Sequence, residues 1–261
     1  SYILFLLYML FDRNIKIVHI QGAAFASFER NTFFVRVGKF FGKKIIMHMH
    51  CADFDGYFQP SRHKRRILET INSCDKYFVL SDSWKEYFIG IGVNSNIIVV
   101  LNNTVAPPTI RTVNRNNTKI KLLYLGVIGE RKGVYDLLEA IWSGGEEITK
   151  NIQLRIGGNK EDILQKKIKD YGLNNCVTFE GFVADNKKIE CLNWADIFIL
   201  PSYNEGLPIA ILEAMSYGCP IISTTVGGIP AVVKHGVNGY LINPGNITEI
   251  QNAILSFIHN R

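Results

Sequence analysis

The sequence has little of what marks secreted, metal-bound or membrane-spanning chains. Its five cysteines, Cys51, Cys74, Cys176, Cys191 and Cys219, are odd in number and form no C-x-x-C pair. That pattern speaks against a disulfide framework and a zinc site, and for a reducing compartment. A bilayer span needs about 20 apolar residues; the apolar stretch at residues 2–11 has ten, and no basic segment precedes it as in a signal peptide. Neither G-K-[ST] nor G-x-G-x-x-G occurs, which removes the two commonest glycine-rich nucleotide signatures. No internal repeat is visible. What is present is apolar material: 47% of the 261 residues, against 20% charged, which excludes a disordered chain. The net charge of +6 points to an anionic partner: nucleic acid, a membrane surface or a phosphorylated small molecule.

Short apolar runs alternate with helical patterns along the chain. Strands are expected at 17–20, 44–48, 77–80 and 97–101, then at 121–125, 152–156, 177–179, 197–200, 220–223 and 240–242. They show little polar alternation, as expected of parallel strands covered on both faces. Helices are expected at 133–142, 161–171, 208–217 and 248–259. In the first of these, Val134, Leu137, Leu138 and Ile141 make one apolar face. Residues 2–11 read as a buried helix, followed by a turn at Asp12-Arg13-Asn14. Strand–helix alternation gives an α/β protein. The polar stretch 102–119, with Pro107-Pro108, breaks the rhythm and reads as a linker. The expected organisation is residues 1–106, a linker 107–119, and residues 120–261, with a ligand in a cleft between two domains.

The densest chemistry lies in residues 199–230. After the strand ending at Leu200 comes a loop with Glu205 and Gly206, and Pro208 stands where a helix would start. Backbone N–H groups around Gly206 and Leu207 are donors suited to an anion, and Gly206 lets a ligand approach closely. Glu213, eight positions after Glu205, falls in an almost wholly apolar helix. A carboxylate there needs a partner: a pair of sugar hydroxyls, an internal salt bridge, or solvent on one helix face. A second anion feature is G-V-I-G-E-R-K-G at 126–133, where Gly129 precedes Arg131 and Lys132 at the start of the next helix. Cations at a positive helix end fit if a phosphate lies between them; an ordinary solvated pair is the other reading. Gly157-Gly158 is a third such turn.

Elsewhere, residues 30–44 are aromatic and basic together, and residues 62–66 are basic. The first stretch reads either as an amphipathic helix on an anionic membrane face or as a core helix with snorkelling cations. No nucleic-acid recognition module is present. His19, His48 and His50 lie on or beside strands, without carboxylate or cysteine at ligand spacing, so no metal is expected. Hydrogen-bonded core positions are expected for His19 and His48.

These residues resemble the retaining glycosyltransferases of family 4, which have the GT-B fold. Glu205-Gly206-Leu207-Pro208 with Glu213 looks like the family's E-x7-E signature, and L-P-S-Y before it and Y-G-C-P-I-I-S-T-T-V-G-G-I-P after it match the family's pattern. Residues 129–133 resemble its pyrophosphate loop. The resemblance covers essentially the whole chain and is strongest from Lys121 onward. It implies two Rossmann-like parallel-sheet domains facing a cleft, the N-terminal one incomplete, and transfer of a hexosyl group from a UDP- or GDP-sugar. The implied acceptor is a glycan or polyprenyl-linked glycan of cell-surface polysaccharide or lipopolysaccharide synthesis. No cofactor or metal is obligatory.

By position, the resemblance gives Arg131 and Lys132 the diphosphate and Glu213 the ribose hydroxyls. Glu205 would serve the donor sugar or the charge at its reacting carbon. His50 would face the donor sugar from the other domain. Gly129, Gly206, Leu207, Pro208 and Val183 complete the expected donor site. Specificity is expected in loops near Phe182-Val183, His50 and Asp53. Two departures stand out: Val127 where the family commonly has Arg, and Ala231 where it often has Glu. The family's opening strand and glycine-rich loop have no match, so a chain trimmed at both ends is expected, one that binds donor weakly and turns over poorly. The expected setting is the cytoplasm, at the inner face of a membrane that the basic N-terminal domain touches. A non-catalytic nucleotide-sugar-binding protein and a GT-B-fold epimerase are the alternatives.

Overall fold

The computed structural model describes residues 2–108, 118–159 and 162–260. By compactness the described chain divides into two units: residues through Asn103 with Glu205–Leu207, and the remainder. Most of the expected linker, residues 109–117, lies outside the described residues.

The first unit carries four parallel strands, β1 (Ile17–Gly22), β2 (Lys44–Met49), β3 (Lys76–Val79) and β4 (Ile98–Val100), paired in chain order. Each of the ten expected strands is present, with ends moved by at most two residues. The 30–44 stretch resolves in favour of a core helix. Helix Ala26–Phe40 buries Phe28, Asn31, Thr32, Val35 and Gly38, while Arg30 and Arg36 face outward. A Cβ on Gly38 would stand 2.5 Å from Ile45 Cδ1 on β2, so glycine there lets that side chain pack against the helix without shifting.

The expectation of a buried helix at residues 2–11 is corrected. Tyr2–Phe11 is helical, but only Met9 is buried, and Ile3 and Phe11 are 76% and 79% exposed. Its sequence is apolar around the whole circumference, so packing one side leaves the other uncovered within this unit. The packed side is aromatic: Tyr2 meets Phe33 and Phe34, and Phe5 meets Phe34. No described helix is long and apolar enough to cross a membrane.

The second unit holds β5 (Ile120–Leu125), β6 (Ile152–Gly157), β7 (Val177–Gly181), β8 (Ile197–Leu200), β9 (Ile221–Thr224) and β10 (Gly239–Ile242). They form a parallel sheet in the order β10-β9-β8-β5-β6-β7. Every residue of β8 and β9 is buried, which explains the unbroken apolar run of β8, Ile-Phe-Ile-Leu; in β9 the buried Ser223 and Thr224 hydroxyls are hydrogen-bonded. Helix Val134–Ser143 buries Val134, Leu137, Leu138 and Ile141, the face its periodicity foretold. Helix Ile209–Ser216 ends where Gly218 takes a left-handed φ of 68°, the stop expected of a glycine past a helix end. All five cysteines are free.

Candidate functional site

Strand order locates a site before any side chain is considered. From β5 the chain moves to β6 on one side; from β8, the neighbour of β5, it moves to β9 on the other. Ligands of open α/β sheets bind at such a switch point, outside the carboxyl ends of the diverging strands. The two loops that leave those ends are residues 126–133 and 201–208, the two segments the sequence singled out.

These loops are tied together. Arg131 donates from Nη1 to the Asn204 carbonyl at 3.1 Å, and Tyr203 N–H donates to the Arg131 carbonyl at 2.9 Å. Gly133, at φ 67°, packs so closely that a Cβ would stand 2.0 Å from the Pro201 carbonyl oxygen. The second loop is also held from below: Ser223 Oγ donates to the Leu200 carbonyl and Thr224 Oγ1 to the Ser202 carbonyl, each at 2.6 Å. The Tyr203 hydroxyl bonds Asp136 on the helix after the first loop; that bond, with burial and the Asp136 charge, raises the Tyr203 pKa. The anchors Ser223, Thr224, Tyr203 and Asp136 escaped sequence reading, since hydroxyls in a strand or loop carry no positional signal.

Two local expectations are corrected. Arg131 and Lys132 do not open the α-helix: Glu130–Lys132 forms a single 3₁₀ turn, and the helix starts after Gly133 at Val134. The left-handed Gly133 separates the turn from the helix, which leaves both cations in the loop segment. Pro208 caps its helix rather than occupying the first turn, which begins at Ile209. Glu205, on the same loop, is buried at 5% exposure.

Beside the first loop lies a cavity of about 270 Å³ lined by Gly126, Val127, Gly157, Gly158, Val183, Lys188 and Glu213, among others. Its floor is built from glycines for a steric reason. A Cβ on Gly158 would meet the Gly126 carbonyl oxygen at 2.2 Å, and one on Gly157 would meet Val183 at 2.7 Å. Glu213 and Val183, expected in one donor site, therefore share one cavity. Of the partners weighed for Glu213, the structure contains the salt bridge: Lys188 Nζ bonds its Oε1. Sequence reading missed Lys188, because D-N-K-K-I-E-C has no feature that separates it from a solvated helix face.

His50 belongs to the first unit, at the end of β2. Its Nε2 bonds the Gln21 side-chain oxygen, and its ring lies 4.1 Å from that of His48. His48 is buried, and its Nε2 has no hydrogen-bond partner, which corrects the expectation of a satisfied core histidine. Burial, then the charges of His50 and His19, lower its pKa to about 4. Burial and then His19 lower that of His50 also. A neutral native His48 binds no proton between pH 6.5 and 4, whereas the unfolded chain does, so stability must fall as pH drops through that window. The melting temperature is expected to decline over that range, and more shallowly in His48→Phe; equal slopes would contradict the assignment. Among the described residues no group of three His, Cys, Asp or Glu could hold a metal ion.

Comparison with known proteins adds an independent result. A family model described as glycosyl transferases group 1 matches residues 107–261. The amylovoran biosynthesis glycosyltransferase AmsK of Erwinia amylovora is 28% identical over 82% of this chain and 54% of its own length. The putative colanic acid biosynthesis glycosyltransferase WcaL of Salmonella typhimurium is 26% identical over 76% of this chain and 51% of its own. The chain thus spans about half the length of these curated relatives. Among solved structures, Anabaena HepE in complex with UDP superposes with a TM-score of 0.81 at 19% identity, over 98% of this chain and 71% of HepE. That likeness shows the fold, the two parallel-sheet α/β architecture of GT-B glycosyltransferases.

Proposed function

The chain belongs to the group 1 glycosyl transferases, and from that membership we propose that it moves a hexosyl group from a nucleoside diphosphate sugar to a glycan or lipid-linked acceptor. Retention of configuration at the transferred carbon is part of this reading, as is a place in cell-surface polysaccharide or lipopolysaccharide synthesis. The names of AmsK and WcaL support the second point, and HepE, solved with UDP and with UDP-glucose, supports a uridine donor.

The observation that carries the reading is the continuity of one loop. Gly126 and Val127 line the cavity that contains Glu213, and the same loop then presents Arg131 and Lys132. A nucleoside in the cavity would have its ribose hydroxyls at the Glu213 carboxylate, which accepts from a diol. Its diphosphate would run along the loop to the two cations. Departure of the sugar leaves negative charge on that diphosphate, and fixed cations that stabilise this charge lower the barrier most directly. The buried Glu205 carboxylate is suited to hydroxyls of the donor sugar or to positive charge at the reacting carbon. His50, whose pKa is lowered by burial and by His19, is assigned to the donor sugar in this reading. Neither glutamate has to act as a general base. The basic surface of the first unit would bring the enzyme to an anionic membrane at its cytoplasmic face.

A thermal-shift panel of UDP- and GDP-sugars tests the reading. At least one is expected to raise the melting temperature, and Glu213→Ala is expected to abolish that shift. A lost carboxylate–hydroxyl bond is worth about 1.5–3 kcal/mol, roughly a 10- to 100-fold weaker affinity. Absence of a shift with every nucleotide sugar would refute the donor assignment.

A further inference from the structure

Lys188 holds a position that the donor-site reading does not use. It lies in helix Asp185–Trp194, whose first turn follows Phe182-Val183, and its ammonium pairs with Glu213 on the helix after β8. Both residues line the same cavity, with side chains 35% and 22% exposed. The adjacent Lys187 is engaged elsewhere, with Glu180 at 3.1 Å and Glu190 at 3.3 Å. The two lysines are thus divided: one braces the helix against β7, and the other points into the cavity.

The pair answers a physical problem that the sequence posed. Helix Ile209–Ser216 is apolar apart from Glu213 and the terminal Ser216, so the carboxylate must be compensated. Lys188 supplies a partner without filling the carboxylate. A carboxylate has about four lone-pair sites, and the ammonium engages one oxygen, so a vicinal diol can still be accepted. Glu in solution has several rotamers, and fixing one costs conformational entropy. A charge-assisted bond made before ligand arrives removes that cost from binding.

We propose that Lys188 is a positioning residue that aims the Glu213 carboxylate into the cavity at the vicinal hydroxyls of a ribose. The site thereby favours ribonucleoside over 2′-deoxyribonucleoside diphosphates. This rests on the reading of the cavity as the nucleoside pocket. It assigns Lys188 no contact with the reacting atoms, so its loss acts through Glu213.

The test measures affinity for UDP and 2′-deoxy-UDP, or for the GDP pair if GDP binds the wild type more tightly. Wild type is expected to prefer the ribonucleotide by about 10- to 100-fold, the worth of one hydrogen bond to a charged group. Lys188→Met is expected to compress the preference to a few-fold while affinity for the deoxy form, set by the diphosphate, stays within a few-fold of wild type. Lys188→Arg, which keeps a charged donor, is expected to retain most of the preference and serves if the Met variant does not fold. A purely structural role would weaken both nucleotides alike and leave their ratio unchanged, which would overturn the proposal. If Glu213→Gln loses the preference and Lys188→Met keeps it, the positioning role fails and the pocket reading stands. If Glu213→Gln keeps it too, or neither nucleotide pair binds, the pocket reading fails and takes the proposal with it.

Discussion

Replacing Arg131 and Lys132 together by Ala is expected to weaken binding of a nucleoside diphosphate by roughly 10²- to 10⁴-fold. Two charge-assisted hydrogen bonds at about 1.5–3 kcal/mol each give that range. Calorimetric titration with UDP or GDP, whichever binds the wild type more tightly, measures it. The wild-type affinity should also fall steeply with salt, and the double variant's should not, because phosphate–cation contacts are screened within about a Debye length. Arg131→Lys separates two contributions of this residue. It keeps the charge but loses the planar fork that lets one guanidinium reach the Asn204 carbonyl and an anion together. An intermediate affinity is expected. A double variant that binds as tightly as wild type would remove the diphosphate from this loop.

The second large effect is on stability. Gly133→Ala is expected to destabilise the second unit by about 2–5 kcal/mol, measured by urea unfolding. Two costs add: an L-residue in the left-handed region costs about 1–2 kcal/mol, and forcing an extra carbon into a packed site costs about 1–3. The Cβ would meet backbone at Pro201, 2.0 Å away, so no side-chain rotation can relieve it. Against a typical domain stability of about 5–15 kcal/mol this is a large fraction. Gly129→Ala is the control. Its φ of 163° is ordinary extended backbone and nothing stands within 4 Å of its Cβ, so a change within about 0.5 kcal/mol is expected. Equal effects at the two positions would show that the close approach of the loops contributes nothing.

The contrast between these glycines shows what the sequence could and could not supply. G-V-I-G-E-R-K-G announces a turn between a strand and a helix, and it reads as a candidate anion feature. Which of its glycines is sterically obligatory was not legible, because the carbonyl that makes Gly133 indispensable belongs to a loop about seventy residues later. The same holds for Gly158, read as a weak turn, whose neighbour is the Gly126 carbonyl.

By itself the sequence determined the ten strands and the parallel α/β class, and it singled out residues 199–230 and 126–133 as candidates for the chemistry. Those features follow from local causes: unbroken apolar runs for strands buried on both faces, a 3.6-residue period for helices, and glycine and proline at their ends. It also carried enough pattern for a glycosyltransferase resemblance, which the match over residues 107–261 upholds at the level of the group 1 glycosyl transferases. Tertiary structure alone decided the rest. Strand order placed the β5 and β8 loops side by side at a switch point, which no local pattern encodes. Packing exposed most of the first helix despite its apolar sequence, and left the His48 imidazole buried without a partner at Nε2. Only the folded chain brought Lys188 to Glu213, twenty-five residues away, and so supplied the salt bridge among the partners the sequence allowed. A carboxylate in an apolar helix declares that it needs a partner; which one it takes depends on what the fold delivers to within a few ångströms.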